Sequence, residues 1–140
     1  MMDNYQVVDH TADLAVRFLG KSLEELFINS ARSLSEIIFG HPPKNRFTKI
    51  TSHNIKCTAD DINVLYIDFL REILFFINQE YCFFYDFDIR ELSSKALDIE
   101  CYAYVLSPED LIKEIKAVTY HNVKVKKKKD HYSALVTFDI

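Results

Sequence analysis

The sequence predicts an α+β fold in two layers, with two long helices packed on one face of a mostly antiparallel sheet. Two observations support this fold class. Two stretches carry apolar residues at helical spacing, and most of the remaining chain alternates apolar and polar residues, as half-buried strands do. A length of 140 residues is typical of one domain, so we expect a single domain over residues 1–140.

The first helix is predicted to begin after Ser22, because Ser22 and Glu25 have the spacing of a capping box. Apolar residues then recur at helical spacing as far as Ile38, and Gly40 ends the pattern.

The second helix is predicted to be capped by Asp60 or Asp61. Its apolar stripe runs from Ile62 to Ile77 and is wide, which predicts a largely buried helix.

Strands are predicted wherever residues alternate. The cleanest alternation lies at 96–105, and 49–57 alternates only in part, as in a marginal or edge strand. The aromatic run at 81–87 is interpreted as core that leads into a strand, with an exposed docking surface as the alternative. Further strands are predicted at 5–8, 13–18, 112–125 and 132–140, with a loop at 44–47.

Composition narrows the class of protein. The net charge is −4 and the pI is near 5.7, so a uniformly charged surface would repel a phosphate backbone; we do not expect a stand-alone nucleic-acid binder. No apolar run approaches the roughly 20 residues that span a bilayer, so no membrane association is expected.

Three cysteines, Cys57, Cys82 and Cys101, are widely spaced and form no CxxC motif. Their number is odd, and the N-terminal residues do not resemble a signal peptide. We therefore expect reduced core cysteines in a cytoplasmic protein.

The first concentration of polar chemistry is the segment 8–13, where Asp9, His10 and Asp13 fall between two short apolar runs. The other end of the chain carries Asp139 and the terminal carboxylate of Ile140. If the last strand pairs beside the first ones, these acids converge, and an all-oxygen cluster suits Ca²⁺ or Mg²⁺. The alternative is that the acids are solvated turn formers or helix caps.

The second concentration is the segment 116–121. Lys116 within an apolar strand can place a fixed positive charge near acids or phosphates, and the alternative is a solvated lysine on an exposed sheet face. His121 is a candidate general base or metal ligand, although a single strand histidine is more commonly hydrogen-bonded.

The four consecutive lysines 126–129 are interpreted as protection of a sheet edge or solvation of a hairpin tip. Electrostatic attachment to RNA or to an acidic partner is the alternative. The sequence has no glycine-rich phosphate loop and no HExxH or GxSxG motif.

Several segments, taken together, resemble the archease family. Residues 5–13 and the segment 20–27 resemble its opening signature, and residues 114–121 resemble its second signature. The ending at 136–140 is similar to the C-terminus of the family. These matches lie in the same order as in the family and extend over the whole chain.

The resemblance implies a non-catalytic protein that activates an RtcB-type RNA ligase, an enzyme that joins tRNA exon halves with GTP and Mn²⁺. Archeases promote formation of the guanylylated histidine of the ligase and allow multiple turnovers. RNA contact is thus expected only indirectly, through the ligase. The resemblance also implies a divalent-cation site, with Ca²⁺ expected first and Mg²⁺ or Mn²⁺ as alternatives, at Asp13, Asp139 and Ile140. The residues implied for ligase activation or partner contact are Asp9, His10, Lys116, Thr119 and His121.

A second hypothesis comes from another class of protein. A small metal-dependent hydrolase would use the same acidic cluster, but it needs a positioned base and a fuller ligand set. Only His10 or His121 is available as that base near the predicted site.

Overall fold

The α+β fold is confirmed by a computed structural model, which describes residues 4–8, 13–43 and 49–140. The loop predicted at 44–47 and the segment 9–12 lie outside the described residues. Two long helices and eight strands are described, together with a 3₁₀ turn at Pro108–Asp110. In chain order the elements are β1 (Tyr5–Val8), β2 (Leu14–Gly20), α1 (Leu23–Phe39), β3 (Lys49–Thr58), α2 (Ile62–Glu80), β4 (Cys82–Leu92), β5 (Ala96–Val105), β6 (Ala117–Val118), β7 (Val125–Lys127) and β8 (Tyr132–Asp139).

The strands form two antiparallel sheets. The first has the order β1-β2-β8-β6, and β7 also pairs with β8. The second has the order β3-β5-β4. The sequence predicted antiparallel pairing, but the alternation of apolar and polar residues did not show that the strands divide between two sheets.

The ends of α1 are where the sequence predicted them. The amide of Glu25 donates to the Ser22 hydroxyl at 3.0 Å, and the helix ends at Gly40, whose φ is 86°. Gly20 stands at the end of β2, directly against this helix. A Cβ at Gly20 would lie 2.3 Å from the backbone nitrogen of Leu26, so only glycine allows this close approach.

Asp61 is the N-cap of α2, one of the two predicted caps. Its carboxylate accepts hydrogen bonds from the amides of Asn63 and Val64 at 2.9 and 3.0 Å. The helix ends at Tyr81, which adopts the left-handed conformation with φ 57°. The main-chain amide of Tyr81 donates to the carbonyl of Ile77.

Both helices pack against both sheets and form one core with them. Helix α1 contacts β2 and β4, and α2 contacts β3, β6 and their neighbours. At the centre, the Phe27 ring packs edge-on against Tyr66 with centroids 5.2 Å apart. The buried Tyr66 hydroxyl lies 2.7 Å from the Ser30 hydroxyl, so its polar group is satisfied. The helices therefore join the two sheets.

The aromatic run after α2 is mostly core, as the sequence favoured. The first residues of β4, Cys82 to Phe84, are buried. Tyr85 and Phe87 are partly buried and pack against the core.

The prediction of one strand over residues 112–125 is wrong. Only Ala117–Val118 and Val125–Lys127 are strands, each paired with a different part of β8. Between them Asn122 adopts a positive φ of 55° in a turn. Ile115 and Val123 are buried without ladder hydrogen bonds, and buried residues spaced in this way imitate the alternation of a strand.

The cysteines are free thiols, and the prediction that they belong to the core is confirmed for Cys82 and Cys101, which are buried; Cys57 is half-buried. Burial raises the pKa of Cys57 and Cys82 to about 11 and that of Cys101 to about 12.

Candidate functional site at one end of the first sheet

The two predicted acidic segments end neighbouring strands. Strands β2 and β8 pair antiparallel, and Leu14 lies opposite Phe138 at the last registered pair. Asp13 precedes Leu14 and Asp139 follows Phe138, so the register continued by one residue sets the two aspartates opposite each other. Leu14 and Phe138 are buried, and side chains alternate along a strand, so the next residue on each strand belongs to the outer face. Asp13 is half-buried and Asp139 is exposed, as is Ile140.

The donors at this sheet end are hard oxygens. Among residues 4–8, 13–43 and 49–140, no group of three or more His, Cys, Asp or Glu side chains is arranged to hold a metal ion. The predicted set needs only two such side chains, Asp13 and Asp139, because its third ligand is the terminal carboxylate of Ile140. These donors fit Ca²⁺, Mg²⁺ or Mn²⁺ and not a soft thiolate-binding metal. Asp9 and His10 lie outside the described residues.

Lys116 is fixed next to the same strand end by its main chain. Its amide donates to the carbonyl of Asp139 at 2.8 Å, and Ala117 pairs with Asp139 in the ladder. The Lys116 side chain is exposed and lines a groove of about 360 Å³ beside α2, together with Arg71 and Tyr120. The second signature and the C-terminus therefore meet at one end of the sheet.

Thr119 and His121 have different environments. The amide and the hydroxyl of Thr119 both donate to the carbonyl of Thr137 at 3.1 Å, so this hydroxyl holds the segment against β8. His121 is exposed in a turn, where its Nε2 lies 3.1 Å from the side-chain nitrogen Nδ2 of Asn122. Of these two predicted residues, only His121 presents its polar group to solvent.

Sequence reasoning missed a network that ties this segment to α2. The Tyr120 hydroxyl donates to Asp68 at 2.5 Å and accepts from Arg71 at 2.7 Å, and the Arg71 guanidinium lies over the Tyr120 ring, 5.3 Å from its centroid. Burial and the hydrogen bond to Asp68 raise the pKa of Tyr120, so the phenol stays protonated. Asp68 and Arg71 have the i, i+3 spacing of neighbours on a helix surface, but nothing in the sequence connects them to a residue about 50 positions later.

No activated thiol supports a hydrolase within the described residues. The Cys82 sulfur lies 3.6 Å from His53 Nε2, the only cysteine–histidine contact described. Because burial raises the pKa of Cys82 to about 11, this thiol is neutral near pH 7 and is a weak nucleophile.

The fold and the site together define a small α+β protein in which two aspartates and an exposed lysine lie at one end of an antiparallel sheet. The model of the Archease protein family matches residues 5–140, and the chain belongs to this family.

Known relatives agree with this assignment, and two solved structures have a similar fold. The chain is 32% identical to the protein archease of Pyrococcus abyssi over 134 residues, which are 92% of each chain. It is 28% identical to that of Methanosarcina barkeri over 97% of this chain and 95% of the relative. A solution structure of a Methanobacterium thermoautotrophicum protein matches with a TM-score of 0.75 and 24% identity, covering 99% of this chain and 100% of the other. A Thermotoga maritima crystal structure, described as an archease and possible chaperone, matches with a TM-score of 0.61 and 21% identity, covering 95% and 94%.

Proposed function

We propose that this chain is a non-catalytic activator of an RtcB-type RNA ligase that acts in tRNA splicing or RNA repair. It promotes guanylylation of the ligase by GTP and allows repeated turnover. Membership of the archease family supports this proposal. The structural observation that carries it is the 2.8 Å hydrogen bond from the Lys116 amide to the Asp139 carbonyl, which fixes the main chain of this exposed lysine beside the acidic end of the sheet.

The cation site belongs to the same proposal. Asp13, Asp139 and the terminal carboxylate of Ile140 are the residues that hold a divalent cation, with Ca²⁺ as the first choice. A bound cation would neutralise neighbouring carboxylates and hold the ends of β2 and β8 together. Asp13 and Asp139 contribute oxygen donors from strands whose pairing is already fixed by the register. This preorganisation lowers the entropy cost of assembling the site.

The role of Lys116 follows from its charge and its exposure. Guanylylation forms a phosphoramidate bond between a ligase histidine and the α-phosphate of GTP, and pyrophosphate leaves. Negative charge develops on the phosphate oxygens during this transfer, and a positioned cation stabilises it. The ammonium of Lys116 supplies such a charge at the contact with the ligase or its nucleotide. Asp9, His10 and His121 are proposed as further contacts with the ligase, and Thr119 holds the segment that carries His121 against β8.

Guanylylation measured with labelled GTP tests the proposal. We expect labelling of an RtcB-type ligase to be faster and multiple-turnover ligation to be restored when this protein is added. An equal rate of labelling with and without the protein would contradict the proposal.

A control without ligase tests the hydrolase hypothesis. The protein alone is incubated with GTP or RNA and with Mg²⁺, Mn²⁺ or Ca²⁺. We expect no hydrolysis, because the one cysteine–histidine contact among the described residues holds a thiol that stays neutral near pH 7.

We propose a cytoplasmic location, supported by the three free thiols. In the described residues, neither helix has the length and apolar character needed to cross a membrane.

A further inference from the structure

The basic residues are unevenly distributed, although the chain as a whole is acidic. Five of the 17 lysines and arginines fall between Lys124 and Lys129, whereas the net charge of the chain is −4. The rest of the molecule is therefore strongly acidic, and this hairpin is its one dense run of positive charge in the sequence. Such segregation indicates a local surface with its own electrostatic role.

The strand register divides these lysines between two faces. Lys126 lies opposite Ser133, and Lys127 lies opposite Tyr132. The Lys127 ammonium packs over the Tyr132 ring, 5.9 Å from its centroid. Because side chains alternate along the strand, Lys126 belongs to the opposite face, the outer face of the first sheet.

The lysines of the outer face meet an arginine from a more distant strand. Arg17 on β2 lies opposite Leu135 on β8, so its side chain belongs to the same outer face. Strand β8 lies between β2 and β7. Together these residues line a groove of about 330 Å³, and its described lining residues include no carboxylate. The lining residues are Arg17, Asn122, Lys124, Lys126, Lys128, Ser133 and Leu135.

Protection of the sheet edge explains only part of this arrangement. Lysines on β7 discourage strand pairing at the edge, but Arg17 lies in the interior of the sheet and has no such role. Within the described residues, the ion pairs are formed by other side chains, so the four cations of the groove have no carboxylate partner there. Four cations around one groove favour an anionic ligand.

We propose that this groove, the Arg17 groove, binds the phosphate backbone of single-stranded RNA directly. Lys126 on β7 lines the groove together with Lys124 and Lys128, which stand two residues before and after it. Several charges along one segment suit a chain of phosphates rather than one small anion. Among the described residues that line the groove there is no aromatic side chain for base stacking, so binding depends on the backbone and not on the base sequence. The choice of RNA over an acidic peptide rests on the proposed function at an RNA ligase.

A direct titration without ligase or GTP tests this proposal separately from the activator function. Fluorescence anisotropy follows binding of labelled oligouridylate in EDTA, between 50 and 200 mM KCl. With about four phosphate contacts on a single strand, we expect log K against log salt to have a slope of roughly −2.8. Affinity should then fall roughly 50-fold over this range of salt.

Two double variants of equal charge distinguish a groove from general attraction. The K126Q/K128Q variant removes two charges of the groove, and we expect its slope to weaken to roughly −1.4. The K127Q/K129Q variant removes two charges from the same hairpin outside the groove lining and should keep most of the affinity and slope. Thermal melts of both variants confirm that they are folded.

Three outcomes would overturn the proposal. One is the absence of salt-dependent RNA binding by the unmodified protein. Another is an equal loss of affinity in the two double variants, which would mean general electrostatic attraction. The third is tighter binding of a polyglutamate peptide than of RNA with the same number of charges, which would assign the groove to an acidic protein partner.

Discussion

The amide of Lys116 donates a hydrogen bond to the carbonyl of Asp139, 2.8 Å away, and thereby joins the second signature segment to the last strand. The bond uses only main-chain atoms. Both side chains therefore remain available, the exposed ammonium of Lys116 for a partner and the exposed carboxylate of Asp139 for a cation. The proposed activating charge and the proposed cation site share one strand end.

Replacing Asp139 with asparagine should weaken Ca²⁺ binding on the order of tenfold or more, because it removes one anionic oxygen ligand. Isothermal titration calorimetry of the purified protein measures this change. Glu91→Gln is the matched control, since Glu91 is an exposed acid on β4 in the other sheet and should leave affinity unchanged. Equal Ca²⁺ affinity in the two variants would remove Asp139 from the site.

Residues added after Ile140 should weaken cation binding more than an N-terminal tag of the same sequence. The extension converts the terminal carboxylate into a neutral amide carbonyl and so removes one negative charge from the ligand set. Titration of both tagged proteins with Ca²⁺ checks the prediction. If the two affinities agree, Ile140 does not act as a charged ligand.

The sequence predicted the parts of this molecule that depend on local chemistry. Ser22 and Asp61 cap their helices because their side chains reach amides two or three residues away, and such contacts are visible in the sequence. The alternation at Ala96–Val105 predicted a strand because one face of β5 is buried.

The parts that the sequence did not predict depend on contacts between distant residues. Tyr120 binds Asp68 and Arg71 on α2, and no local pattern encodes a pair about 50 residues apart. Arg17 on β2 shares a groove with Lys126 on β7 only because both strands pair with β8. The residues alone made Asp13 and Lys116 candidates, but their roles came from the family resemblance, since acids in a turn and a lysine in a strand are common without function.

Stability should fall as the pH rises above about 9, because the folded state keeps its cysteine thiols protonated. Burial raises the pKa of Cys101 from 9.0 to about 12. Below pH 9 this thiol is protonated in both states, whereas above pH 9 the unfolded chain loses the proton and the folded chain keeps it. Between pH 9 and pH 10 the deprotonation of this one thiol in the unfolded chain should lower the free energy of unfolding by about 1 kcal/mol.

Urea unfolding at pH 7.5, 9 and 10 measures this effect, with Cys101→Ala as the comparison. The variant is expected to be less stable at every pH because it leaves a small cavity, but its loss of stability between pH 9 and 10 should be smaller. The same pH dependence in both proteins would show that Cys101 does not contribute to it.

Lys116→Ala should abolish most of the stimulation of ligase guanylylation while leaving the fold intact. The side chain is exposed, and the hydrogen bond to Asp139 comes from the main chain, which alanine retains. Exposed substitutions usually change stability by no more than about 0.5 kcal/mol, whereas the loss of a charge at the centre of a protein–protein contact can cost about 2 kcal/mol or more. Asp9→Ala is expected to lose stimulation in the same way.

The control for this prediction is Lys95→Ala, which removes an equal charge from an exposed position between β4 and β5. Labelling of the ligase with GTP, thermal melting and Ca²⁺ titration are compared for the two variants. Lys95→Ala should stimulate the ligase normally. Both variants should melt within a few degrees of the unmodified protein, since a change of about 1 kcal/mol in stability corresponds to roughly 4 °C in a domain of this size.

Normal stimulation by Lys116→Ala would contradict the role proposed for this lysine, and so would a loss of activity that follows entirely from unfolding at the assay temperature. Loss of stimulation in a folded Lys116→Ala protein with unchanged Ca²⁺ affinity would separate the activating charge from the cation site, although a single hydrogen bond joins the two residues.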